Sequence, residues 1–223
     1  MTAPALPLPP ATALVPLLVQ RHFPGLVPYL PALAAMQDFV RTRADDADDE
    51  LWLLQHPPVY TLGQAGRREH LLAPDPNIPL IPIDRGGQIT YHGPGQLVCY
   101  TLLHLPRRAL KVRELVHLLE EAIIQTLATC GLNGCRKDGA PGVYLPDGSK
   151  IAALGLRIRQ GIAYHGLAIN CDLDLTPFSR INPCGYPGLV TTSLAAQGIA
   201  VSPPELAPVL CRHLAALLPA ART

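Results

Sequence analysis

Apolar positions recur along this 223-residue chain at two spacings, and the changes between them mark out its elements. Leu30, Leu33, Ala34, Phe39 and Val40 fall at helical spacing, which predicts a helix from Tyr29 to about Arg43, with Pro31 tolerated in its first turn. Leu115, Leu118, Leu119, Ala122, Ile123 and Leu127 predict a second helix over 112–129, ended by Gly131. A third begins at Ser202-Pro203-Pro204-Glu205, a capping box with proline in the first turn, and presents Leu206, Val209, Leu210, Leu214 and Leu217 on one face.

Short apolar runs bounded by turn residues read as strands. They cover about Leu14 to Arg21, Leu51 to Leu54, Val59 to Leu62, Ile81 to Asp84 and Gln96 to Leu103. Further on, Pro146-Asp147-Gly148 separates Val143 to Leu145 from Lys150 to Ile158, and Gln160-Gly161 leads into Ile162 to Leu173. These last three form an antiparallel meander. The fold class is therefore α+β, a mixed, largely antiparallel sheet with packed helices, and not a doubly wound parallel sheet. Residues 1–13 read as a loose proline-rich tail and 14–220 as a single domain, with no internal repeat.

Composition narrows this little. A hydrophobic fraction of 48% and a charged fraction of 16% suit a globular core, and 25 prolines forecast short strands and stiff loops. The net charge of +1 argues neither for nucleic acid nor for a membrane surface. No apolar run reaches membrane-spanning length, and no Lys or Arg precedes Arg21 as a secretory signal would need. The six cysteines lack Cys-x-x-Cys spacing, so the expectation is reduced thiols in a cytoplasmic protein, with no metal site.

Chemistry concentrates in two loops. Arg85-Gly-Gly-Gln-Ile-Thr-Tyr-His-Gly-Pro-Gly-Gln sets glycines, which permit close backbone approach, beside Arg85, His92 and Gln96. Together they read as a binding loop. Cys184 sits in Asn-Pro-Cys-Gly-Tyr-Pro-Gly, a frame that cannot continue a helix or a central strand and that can hold a thiol toward a cleft. A nucleophilic thiol needs a cation or base, for which Lys150, His92 and His165 are the candidates.

Four separated segments carry a family resemblance: Arg85 to Gln96, Lys150-Ile-Ala-Ala-Leu-Gly-Leu-Arg, His165-Gly-Leu-Ala-Ile-Asn and Asn182-Pro-Cys-Gly-Tyr. His56-Pro-Pro-Val-Tyr-Thr and Gly63-Gln-Ala-Gly agree with them. From about Tyr29 to Gly188 the chain resembles the lipoyl(octanoyl) transferases, whose fold is similar to the catalytic domain of biotin and lipoate protein ligases.

The resemblance implies transfer of an octanoyl group from octanoyl-acyl carrier protein to a lysine of apo-lipoyl domains, those of 2-oxoacid dehydrogenase complexes and the glycine cleavage H protein. No ATP and no metal would be needed. By the same resemblance Cys184 is the nucleophile that becomes an acyl thioester, and Lys150 favours its thiolate and later acts as base toward the acceptor amine. Arg85, Gly86, Gly87, Gln88, Ile89, Thr90, Tyr91 and His92, with Ala153, Leu154, Gly155, Gly166, Leu167 and Ala168, correspond to the acyl pocket.

Arg67, Arg68, Arg107, Arg108 and Lys111 are candidates for docking the acidic carrier. Two other classes share these features: an ATP-dependent ligase of the same fold, in which Cys184 has no role, and a non-catalytic acyl or carrier-binding module.

Overall fold

The computed structural model describes residues 5–15, 17–44 and 46–222, so the first four residues of the expected tail, Pro16 within the expected first strand and Asp45 lie outside the described residues. In chain order the elements are β1 (Thr12–Val15), β2 (Leu18–Leu26), α1 (Tyr29–Thr42), β3 (Asp49–Gln55), β4 (Val59–Leu62), β5 (Leu80–Pro82), β6 (Ile89–His92), β7 (Gln96–His104), α2 (Val112–Thr129), β8 (Val143–Tyr144), β9 (Lys150–Arg159), β10 (Ile162–Asn170) and α3 (Pro203–Leu217).

Seven strands form the main sheet in the order β1-β2-β3-β7-β10-β9-β8, and β5-β4-β6 form a smaller one. Among the described residues, β2/β3 and β4/β5 are the parallel strand pairs and the other strand pairs are antiparallel, as the meander predicts.

Alternation in the central strands fixes the layers. Leu51 and Leu53 of β3, Leu97 and Cys99 of β7, and Leu167 and Ile169 of β10 enter one core with Leu115, Leu119 and Ile123 of α2 and Leu206, Leu210 and Leu214 of α3. Trp52 and Leu54, Val98 and Tyr100, and Tyr164 and Ala168 enter the opposite core, against Ala32, Met36 and Val40 of α1. Successive strand side chains point to opposite faces, so each strand serves both cores.

The α2 boundaries match the spacing prediction, and Ser202 and Glu205 cap α3 reciprocally. Three expectations shift. In α1 the buried stripe runs Tyr29, Ala32, Met36 and Val40, and Leu30 turns to solvent. Thr12 and Ala13, read as tail, pair with Gln20 and Val19. Part of the glycine-rich segment, Ile89–His92, is not loop but a strand paired with β4, because Ile-Thr-Tyr-His itself has high β propensity.

One glycine holds the centre of the sheet closed. A Cβ on Gly166 would lie 2.1 Å from the backbone oxygen of Cys99 in β7. Gly166→Ala is expected to destabilise the protein by about 3 kcal/mol, since a strand must move to admit the methyl. Urea unfolding measures this, and a loss below about 1 kcal/mol would contradict the close approach.

Candidate active site

The site is a hollow left by small residues. Across β9, β10 and β7, Gly155 pairs with Gly166, Gly166 with Tyr100, and Ala153 with Ala168. Residues 85–88 roof it. Gly86 N donates to Leu156 O (2.9 Å), and Gln64 N and Ala65 N donate to the carbonyls of Arg85 (2.9 Å) and Gly87 (3.2 Å).

Arg85 braces this roof from inside: Nη1 donates to Gly86 O (2.9 Å), and Nη2 to the carbonyl (2.9 Å) and hydroxyl (2.8 Å) of Thr61. A side chain at position 155 would collide with it, because a Cβ there falls 2.8 Å from Arg85 Cδ. The cavity measures about 340 Å³.

Lys150 and Cys184 meet at this cavity although 34 positions separate them. Lys150 opens β9 and also bridges Thr191 in parallel, its N donating to Val190 O (2.8 Å) and its carbonyl accepting from Thr192 N (2.9 Å). That bridge draws the 183–185 turn alongside. Within the turn Cys184 adopts φ 56° and ψ 17°, a left-handed conformation uncommon for a residue with a Cβ.

Lys150 Nζ lies 3.0 Å from Cys184 Sγ, donates to Pro141 O (2.8 Å), and sits 5.1 Å from the ring centroid of Tyr144. The lysine is buried. Burial acts to lower its pKa, while the Cys184 thiolate, by charge and hydrogen bond, and then Tyr144 act to raise it; the net is a raised value.

Neither candidate histidine partners the thiol. His92 Nδ1 donates to Gln96 Oε1 (2.7 Å), whose amide nitrogen is committed to Asn170 Oδ1 (2.9 Å). Burial, helped by neighbouring His56, pushes His92 down to about 3, so it is neutral. His165 Nε2 bonds Asp84 Oδ1 at 2.8 Å.

Of the residues matched to the acyl pocket, Arg85, Gly86, Gly87, Gln88, Ile89, Thr90, His92, Ala153, Leu154, Gly155, Gly166, Leu167 and Ala168 line the cavity together with Lys150 and Cys184. Tyr91 does not. Alternation along β6 sends its ring into the core beneath the small sheet, 5.6 Å from both Tyr60 and Phe178.

Several lining residues escaped the motifs: Tyr29 of α1, Val98 and Tyr100 of β7, and Val112 and Val116 of α2. Val98 and Tyr100 were within reach of sequence reasoning, because they sit opposite Ala168 and Gly166 on the same sheet face.

Among the basic candidates, Arg107 and Arg108 are structural. Both bond the buried Asp49 carboxylate, at 3.1 and 2.6 Å, and Arg43 joins them at 3.1 Å. Arg67, Arg68 and Lys111 are exposed. Among the described residues, no helix is long and apolar enough to cross a membrane.

The chain matches the lipoyl protein ligase A/B catalytic domain over residues 28–215. It is 62% identical to an octanoyltransferase of Azoarcus sp. (strain BH72) over 211 residues, 95% of this chain and 92% of that protein. Among solved structures it resembles a bi-partite lipoate protein ligase, studied with its E2 lipoyl domain, from Thermoplasma acidophilum. The TM-score is 0.69 at 19% identity, covering 84% of this chain and 78% of that one. Lipoate-protein ligase A bound with ATP aligns with a TM-score of 0.68 at 18% identity, over 83% of this chain and 79% of the other.

Proposed function

This chain belongs to the lipoyl protein ligase A/B catalytic-domain family and transfers octanoyl groups, and we propose that it does so from octanoyl-acyl carrier protein to lipoyl-domain lysines through a thioester on Cys184. The observation that carries this reading is the 3.0 Å contact between Lys150 Nζ and Cys184 Sγ beside an acyl-sized, largely apolar cavity. Burying each methylene of the chain contributes about 0.8 kcal/mol.

In this reading Cys184 reacts as a thiolate facing the Lys150 ammonium. Cys184 Sγ attacks the donor carbonyl, forming a carbon–sulfur bond, and the tetrahedral adduct collapses by breaking the bond to the carrier's sulfur. Lys150 gives its proton to that departing thiolate. The sulfur of Cys184 is now a neutral thioester, so the larger of the two influences raising the Lys150 pKa is gone, leaving Tyr144 to raise it against burial, which lowers it.

Lys150 is thereby left as a neutral amine when a base is needed. The acceptor lysine amine attacks the thioester, Lys150 takes its proton, and Cys184 leaves as thiolate beside the restored ammonium. Exchange between thioesters is near balance and the final amide is downhill, so the donor supplies all the activation.

It follows that octanoyl transfer from the carrier to an apo-lipoyl domain proceeds with ATP and divalent cation removed, at a rate within about twofold of that with both present. A gel-shift or mass assay of the acceptor, with apyrase and EDTA added, measures this. Transfer that appears only with ATP and free octanoate would replace this reading with the ligase one.

A further inference from the structure

Along β10 the even positions Ile162, Tyr164 and Ala168 pack on the α1 face, and the odd positions Ala163, Leu167 and Ile169 pack in the core shared with α2 and α3. His165 is odd, yet its side chain lines the cavity and shares Asp84 with Tyr164. The reason is its backbone: φ is +60°, a left-handed value in mid-strand that costs an L-residue about 1–2 kcal/mol and turns the imidazole to the other face. Such a cost persists only where surrounding contacts impose it.

Those contacts are specific. Nε2 bonds Asp84 Oδ1, the ring stacks on Tyr164 at 5.0 Å, and it meets the edge of Tyr100 at 6.2 Å. Asp84 is itself held by Tyr164 OH and by Gln37 Nε2 (3.2 Å). These bonds, led by the one to His165, keep the Asp84 carboxyl well below the usual carboxylate range, and burial lowers the His165 pKa. The imidazole is therefore neutral, and its buried Nδ1 has no hydrogen-bond partner.

Position along the cavity gives this pinned ring a role. Gly166 pairs with Gly155, five residues beyond Lys150 on β9, or about 16 Å along the strand. Cys184 shares a hollow with Ala152 and Ala153 near the start of β9. Ala153 lies about 10 Å along the strand from Leu156, the residue paired with His165, while an eight-carbon acyl chain at ~1.2 Å per bond spans ~9 Å. The end of an octanoyl chain on Cys184 thus arrives where the His165 ring stands.

We propose that His165, pinned by Asp84, is the stop at the far end of the acyl cavity and sets the length of chain that Cys184 holds. This rests on the acyl-transfer reading above. Removing the ring opens room for further methylenes, each worth about tenfold or more in discrimination within a hydrophobic pocket.

His165→Gly is the sharpest test, because glycine prefers the observed φ and the backbone cost disappears with the ring. His165→Asn, whose side chain is shorter and also tolerates φ > 0, serves if the glycine variant does not fold. Acyl carrier protein charged with C6, C8, C10 or C12 chains is mixed with each protein, and acyl-enzyme formation is timed by intact mass. The C12:C8 rate ratio should rise about tenfold or more in the variant, with the thermal midpoint near that of the wild type.

A folded variant whose ratio stays within twofold of wild type would overturn the proposal. If the wild type forms no acyl-enzyme with any chain, the transfer reading itself falls, and the two failures are told apart by that control.

Discussion

Cys184→Ala is expected to lower octanoyl transfer by about 10⁴–10⁶-fold, the scale on which removal of a covalent nucleophile acts. The protein should still fold, because Cys184 lies in a three-residue turn outside the hydrophobic cores and the substitution removes one sulfur atom. Cys184→Ser keeps the shape and hydrogen-bonding capacity of the site yet should be nearly as inactive, since Lys150 must then stabilise an alkoxide in place of a thiolate. A non-catalytic binding module predicts otherwise: both variants would retain the partner and lose nothing. Transfer assays on the purified variants, with thermal unfolding as the check on folding, separate the two.

The second large effect concerns Lys150, and two substitutions divide its duties. Lys150→Met keeps the length of the side chain and removes both the cation and the base; transfer should fall by about 10²–10⁴-fold. Lys150→Arg keeps a cation that does not deprotonate in proteins. It can still face the Cys184 thiolate, so loading is retained in part, but no neutral amine is generated to deprotonate the acceptor. The arginine variant should accumulate acyl-enzyme that an apo-lipoyl domain discharges at least ~10²-fold more slowly than in wild type. Discharge at the wild-type rate would remove Lys150 from the second half-reaction.

Cys184 and Lys150, the pair proposed to carry the transfer, stood out in the sequence for different reasons. Cys184 stood out because prolines and glycines on both sides deny it a place in regular structure. Lys150 stood out as the charged start of an apolar strand. That they meet was not written locally: it depends on the bridge between Lys150 and Thr191, a tertiary pairing of one strand end with a loop. The same limit applies to Arg107 and Arg108. As a basic pair before α2 they resemble a docking surface, but the completely buried Asp49 takes both, and only the folded chain places it there.

Strand alternation explains the remaining differences. The glycines around Ile89–His92 concealed a strand, and with it the period-two rule that turns Tyr91 away from the cavity. His165 breaks that rule in the opposite sense. Its sequence neighbours Ala163-Tyr164 and Gly166-Leu167 alternate faithfully, and nothing local signals a left-handed residue between them. Its partner lies outside the strand: Asp84, next to Arg85 at the start of the cavity roof, bonds the imidazole.

In the proposed reaction the octanoyl group rests on Cys184 between donor and acceptor. Intact-protein mass spectrometry of the wild type, mixed with octanoyl-acyl carrier protein in the absence of ATP, tests it most directly. One added octanoyl mass is expected, mapped to the Cys184 peptide, absent from Cys184→Ala and discharged when apo-lipoyl domain is added. Octanoylated lipoyl domain formed at full rate by Cys184→Ala, with no adduct on the wild type at any time, would contradict it.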